Sequence, residues 1–265
     1  MNRILLLFAF FVSLTTSAQD RLFTYTYQSG VLNKGQKEIE VWSTLSGGRV
    51  NFYKGLDHSL EFEIGLGRKL QTSFYLNYGY RTTVGTENGI QSINNSTDYS
   101  FANEWKLKLS DPMANRLGSA LYFEYSLAPT ATTFEGKLIL DKQMGTFVSA
   151  FNLVGEYEIG RTFTIDGTKL RSETTGELAI ELNYGLSYKI KNHLSLGFEA
   201  MNQNQIKGST WEDSVLLLGP CFSYSTNGFW LNLTFMPQIT NLKGGGLELT
   251  DHERLQSRLI FSYEF

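Results

Sequence analysis

From residue 38 to the C-terminus, large apolar residues and polar residues alternate along the chain in short segments. A period of two places all the apolar side chains of a strand on one face and the polar ones on the other. In the segment 59–67, Leu60, Phe62, Ile64 and Leu66 take one face and Glu61 and Glu63 the other. In 177–190, Leu178, Ile180, Leu182, Tyr184, Leu186, Tyr188 and Ile190 oppose Glu177, Glu181, Asn183, Ser187 and Lys189. The same alternation predicts strands over 38–45, 70–81, 99–109, 121–127, 136–141, 147–159, 194–199, 216–224, 229–235 and 254–265, about twelve in all.

A soluble sandwich or lipocalin-like barrel would turn these apolar faces inward and have to bury nearly all of them in one core. Two features favour lipid instead. The apolar faces carry no charge except near segment ends, such as Lys142; a charge there costs roughly 2–4 kcal/mol at a bilayer midplane. The connections also alternate in length. Tight turns are expected at 67–69, 142–145, 191–193 and 225–228, with a slightly longer one at 111–118, and long polar loops at 47–57, 82–98, 129–135, 160–175, 203–213 and 241–253. Outer-membrane barrels place short turns on the periplasmic side and longer loops outside. The expected fold is therefore all-β: a transmembrane antiparallel up-and-down β-barrel of about twelve strands over 37–265, with both barrel ends in the periplasm. Pro220 and Pro237 each remove a ladder donor, so bulges or strand ends are expected there.

The N-terminus agrees with export. Asn2 and Arg3 precede an almost wholly apolar run, Ile4–Leu14, and small residues at 16–18. This reads as a signal peptide over 1–18, too short to span a bilayer as a helix. The expected location is the outer membrane of a Gram-negative bacterium. Residues 19–36, in which Phe23, Tyr25 and Tyr27 alternate, are expected to form a periplasmic segment, as a short strand or plug. The chain ends Leu259, Phe261, Tyr263, Phe265 on one face. That ending resembles the terminal strand of bacterial outer-membrane barrels, which implies outer-membrane lipid and the barrel-assembly machinery, reading Phe265, as partners. From Gly30 to about Tyr78, the run Leu32, Lys34, Gly35, Glu38, Glu40, Trp42, then Glu61 and Glu63, resembles an uncharacterised family of bacterial outer-membrane β-barrel proteins, porin-like in character. The resemblance implies fold and location and assigns no activity; Asn33 stands where proline is usual.

Composition removes several function classes. With 23 basic against 26 acidic residues and a net charge of −3, no polybasic surface for nucleic acid is present. One cysteine, Cys221, excludes an internal disulfide. No His-x-x-x-His, cysteine pair or Asp-rich loop suggests a metal, and no cofactor is expected. Ser43 and His58 share lipid-facing parity on adjacent strands, but counting back across the first loop sets Ser43 nearer Leu60, and no orienting group is evident. An enzyme is not expected.

The polar faces are the remaining candidate. By parity the lumen receives Glu38, Glu40, Glu61, Glu63, Glu104, Glu124, Glu156, Glu158, Glu181 and Glu199, against Arg81, Lys106, Lys108, Lys189, Arg254 and Arg258. Acid exceeds base and crowds the first two strands. Closure would set the last strand beside the first, where Arg254 and Arg258 are expected to meet Glu38 and Glu40. Such a lumen suits a passive channel or facilitator for small polar solutes, mildly cation-preferring. The alternative is a non-transporting structural or adhesive barrel acting through its outer loops, since paired charges also fill a narrow lumen. An outer-leaflet lipid-modifying enzyme ranks last.

Overall fold

A computed structural model of the chain describes residues 21–87, 90–208 and 210–265. The signal peptide expected at 1–18 lies outside these residues. Twelve strands form one closed antiparallel barrel: β1 (Lys37–Gly47), β2 (Tyr53–Gly67), β3 (Leu70–Glu87), β4 (Ile90–Ser110), β5 (Gly118–Leu127), β6 (Ala131–Met144), β7 (Phe147–Asp166), β8 (Lys169–Lys191), β9 (Leu194–Lys207), β10 (Thr210–Thr226), β11 (Phe229–Asn241) and β12 (Leu255–Glu264). Each strand pairs with its sequence neighbours, and β1 closes on β12. Closure leaves no unpaired edge, as a lipid-facing sheet requires.

The apolar alternation faces outward. Val41, Leu60, Leu76, Phe101, Leu121, Leu153, Leu182 and Phe235 are all exposed, while inward-facing Glu61, Asn152, Asn183 and Thr234 are buried. Aromatic rings gather at the turn end of the wall: Phe147 with Tyr188 at 5.0 Å, Phe229 with Phe261 at 4.8 Å, and Tyr263 with Phe265 at 6.5 Å. Such a girdle marks a membrane–water interface.

The tight turns fall where the alternation stops. At 68–69, Arg68 and Lys69 both take left-handed φ (53° and 66°), beside Gly67 at 85°, as a two-residue hairpin requires. The opposite end differs from expectation. Of the six long loops, only 242–254 is long; 82–98, 160–175 and 203–213 are instead strand that continues past the belt and closes in hairpins. The register runs unbroken from Leu70↔Leu107 to Glu87↔Ile90, and from Phe147↔Tyr188 to Asp166↔Lys169. Polarity made these stretches look like loops. Their many threonines (Thr82, Thr83, Thr97; Thr162, Thr164, Thr174) are nonetheless good strand formers, wetted on both faces. At the prolines, the β10–β11 ladder lapses between Leu217↔Gln238 and Cys221↔Thr234, and Pro220 and Pro237 sit in that gap.

Candidate functional site

Residues 21–34 run through the inside of the barrel without joining its sheet. Their backbone amides and carbonyls therefore need partners elsewhere, and wall side chains supply them. The Glu199 carboxylate accepts hydrogen bonds from the amides of Thr24 (2.9 Å), Tyr25 (2.8 Å) and Thr26 (2.8 Å). Asn152 accepts from the Tyr27 amide at 2.6 Å and donates to its carbonyl at 2.9 Å. The Leu32 amide reaches Gln71 Oε1 at 2.8 Å, and the Arg21 carbonyl accepts from Asn232 at 2.8 Å. Two glycines make room. A Cβ on Gly185 would stand 2.7 Å from the Phe23 ring, and one on Gly65 would stand 2.0 Å from the Asn33 carbonyl oxygen.

The segment's side chains lock against basic wall residues. Arg21 stacks over Tyr27 at 4.3 Å and Trp42 at 4.6 Å, and its Nη1 lies 3.5 Å from Glu40. Lys137 lies over both Tyr27 and Tyr122, and Arg258 over Tyr25 at 4.1 Å. Phe23 and Leu22 pack with Val148, Ala150 and Cys221. Tyr25 and Tyr27 thereby floor a cavity of about 300 Å³ on the loop side, walled by Trp42, Asp57, Glu135, Lys137, Glu181 and Arg258. A second cavity, about 310 Å³, lies under the 242–254 loop. That loop is ordered around Glu248. Partial burial works against its charge, but the amides of Thr250 and Asp251, with that of His252, hold its carboxyl below the usual range. Arg49 to Glu253, at 2.5 Å, ties the loop to the rim.

The register sets the glutamates in a line. Directly paired positions run Glu264↔Glu38, Glu38↔Glu63, Glu63↔Ser73, Ser73↔Glu104, Glu104↔Glu124, Glu124↔Glu135 and Glu135↔Glu156. Seven strands out of eight contribute a glutamate, and the eighth contributes small, buried Ser73. Glu264 ends β12 at the turn side, whereas Glu156 is ten residues into β7. Because barrel strands tilt, a row perpendicular to them climbs the wall. This row therefore spirals from the turn end to the loop end. Like charges directly opposite are destabilising, so the row is costly to the fold.

The other candidates take varied places. Glu40 and Glu61 form a register pair beside the row, and Lys106 is buried near it. Glu158 is half-buried above the row, and Glu181 accepts from Asn183 (2.6 Å) and Gln203 (3.2 Å). Arg81 bonds Asp57 at the loop-side rim, Lys108 bonds Asp111 at the turn end, and Lys189 is half-buried near the same end. The arginines of the last strand do not meet Glu38 or Glu40. Arg254 is exposed and precedes β12, while Arg258 pairs with Thr44, six positions up from Glu38. At about 3.4 Å per residue, that separation is roughly 20 Å. Arg21 fills the role instead. Glu135, within the expected loop 129–135, is instead a strand residue of β6 paired with Glu124 and Glu156.

Ser43 and His58 are direct register partners, not offset toward Leu60, with Ser43 Oγ 2.9 Å from His58 Nδ1. The first loop closes over 48–52, which shifts the pairing by two residues from the count. Among the described residues no third polar group bonds His58.

The family model for a family of unknown function (DUF6662) matches residues 15–265. The chain belongs to that family. No curated protein matches it. Among solved structures, it is similar to the COG4313 outer membrane channel from Pseudomonas putida F1 (TM-score 0.60, 12% identity, covering 89% of this chain and 98% of that one). It is also similar to the translocator domain of the autotransporter NalP from Neisseria meningitidis (0.56, 14%, 88% and 90%) and to the NanC porin (0.52, 11%, 85% and 98%). At these identities the DUF6662 chain shares with them the fold of an outer-membrane barrel.

Proposed function

We propose that this DUF6662 protein is a passive outer-membrane channel for small polar solutes, mildly cation-preferring, held closed here by residues 21–34. The spiral of glutamates is the observation that carries the reading. It sets like charges against one another at a cost to stability, from one end of the lumen to the other, and a wall with no solute to guide gains nothing from it. The closing segment is held by side-chain hydrogen bonds and stacked cations rather than by sheet pairing, so it can leave without breaking the barrel. Barrels similar in fold include a channel and a porin, which agrees with the proposal. Location in the outer membrane and assembly through Phe265 belong to the same reading.

Proteoliposome swelling tests it. The protein with Glu199→Ala should admit small sugars and amino acids faster than empty liposomes, with a size cut-off. Swelling no faster than that of empty liposomes would remove the channel. The second reading, a scaffold or adhesive barrel, is favoured by the β3–β4 and β7–β8 hairpins. β7 and β8 have 20 and 23 residues, about twice the 9–11 that cross a bilayer.

A further inference from the structure

We propose that Glu61, Glu63 and Glu104 form a binding site for a calcium ion inside the barrel wall. Glu61 and Glu63 stand two apart on β2, both facing inward. Glu104 comes from β4, across β3, and reaches them because the intervening register position is Ser73, which is fully buried and small. One carboxylate oxygen of each residue lies within 4.8 Å of the others.

Neighbouring acids in the same cluster have donors, whereas Glu61 and one oxygen of Glu104 lack them. Glu38 accepts from Trp230 Nε1 at 2.5 Å and from the Ser262 hydroxyl. Glu40 accepts from Trp42 Nε1 at 2.7 Å and pairs with Arg21. Glu61 is 1% exposed, and neither of its oxygens has a hydrogen-bond partner. Glu104, also 1% exposed, has one oxygen bonded by the Tyr75 hydroxyl and leaves Oε1 unpartnered. A buried carboxylate without a donor is expensive. Three carboxylates converging on one point, Glu61 among them without any donor, are what a cation requires.

The chemistry selects the ion. All ligand atoms are carboxylate oxygens, which suits hard cations and not zinc or copper. Calcium accepts flexible geometry and bidentate carboxylates, whereas magnesium demands a near-ideal octahedron and keeps several of its waters. The three oxygens lie within 4.8 Å of one another, close enough for one ion to bridge, and the wall around them leaves little space for a magnesium water shell. Calcium needs 6–8 oxygens, and a cavity of about 20 Å³ bordered by Glu63, Gln71 and Lys106 adjoins the site. That is room for about one water, and bidentate carboxylates supply further ligands. The ion would tie β2 to β4, and the site stands whether or not solutes pass the lumen.

The folded protein in detergent, stripped with chelator, is titrated with calcium by calorimetry and with terbium by luminescence. Tyr75, touching Glu104, should sensitise terbium. One ion per chain is expected, with a dissociation constant on the order of 10⁻³ M or tighter. Calcium should displace terbium at least about tenfold better than magnesium does, and the heat-modifiable band should persist to higher temperature with calcium. Glu61→Gln removes repulsion and should fold, as its band shift checks; it should weaken binding at least tenfold, as should Glu63→Gln should the first variant not fold. Glu173→Gln, on the exposed β8 hairpin, should change nothing. Absence of saturable calcium binding, equal preference for magnesium, or unchanged affinity in Glu61→Gln and Glu63→Gln would each overturn the site.

Discussion

Glu199 holds Thr24 twice, through the backbone amide at 2.9 Å and the hydroxyl at 3.2 Å, although the two residues are 175 positions apart. The same carboxylate takes the next two amides and the Thr234 hydroxyl at 2.7 Å. Hydrogen bonds to a charged acceptor contribute about 1.5–3 kcal/mol each. Glu199→Ala should therefore loosen the inner segment by several kcal/mol while leaving the barrel ladder intact. Cys221 reports this directly, since it is buried against Phe23 and Leu22. Its maleimide labelling should be slow in the native protein and at least about tenfold faster in Glu199→Ala, with heat-modifiable migration preserved.

Gly185 is the steric counterpart. A side chain there meets the Phe23 ring at 2.7 Å, so Gly185→Leu should speed Cys221 labelling as Glu199→Ala does. Phe23→Ala opens space for the new side chain. The double variant should label more slowly than Gly185→Leu alone; additive acceleration would show that the two do not touch.

Asp111 orders the one longer turn-side connection. Lys108 at 2.7 Å, with the amides of Ala114 and Met113, pushes its carboxyl down to about 2 from 3.8. A depressed carboxylate stabilises the folded state above its unfolded value and loses that contribution as pH falls through its folded one. The gap in thermal stability between the native protein and Asp111→Asn should therefore be full above about pH 4 and close as pH falls towards 2. The group is exposed, so the gap should be small and should shrink in salt.

Ser43 and His58 touch, but His58 lacks an orienting partner and Ser43 faces the exposed apolar belt. A nucleophile needs both an adjacent base and a group that fixes that base. Phospholipid hydrolysis by the purified protein should equal that of His58→Ala. A rate that drops in the variant would make the pair catalytic.

Much of the fold was legible where the period of two is strict: the outward Leu and Phe from Leu60 to Leu66 in β2 and from Leu178 to Leu186 in β8 could be assigned from parity alone. Strand ends were not, because Thr82–Thr97 and Thr162–Thr175 are mostly polar, and scattered apolar residues such as Ile93, Phe163 and Leu170 make too thin an alternation to read. The lumen was half legible. Parity found Glu38, Glu63, Glu104 and Glu124, but a list of inward residues has no register, and only register turns them into a climbing row. It also placed Arg254 and Arg258 beside Glu38, when the pairing carries them a full membrane leaflet away. Arg21 was invisible as their replacement, since the alternation of Phe23, Tyr25 and Tyr27 allowed a short strand or a plug but carried no register to say which wall residues the segment meets.

Residues 21–34 are proposed to close a conducting barrel. Single-channel recording in planar bilayers, comparing the native protein with the double variant Glu199→Ala, Asn152→Ala, tests it most directly. The native protein should be mostly silent, and the variant should show long-lived open steps with a cation-selective reversal potential. Equal silence from a correctly folded variant, confirmed by fast Cys221 labelling, would contradict it.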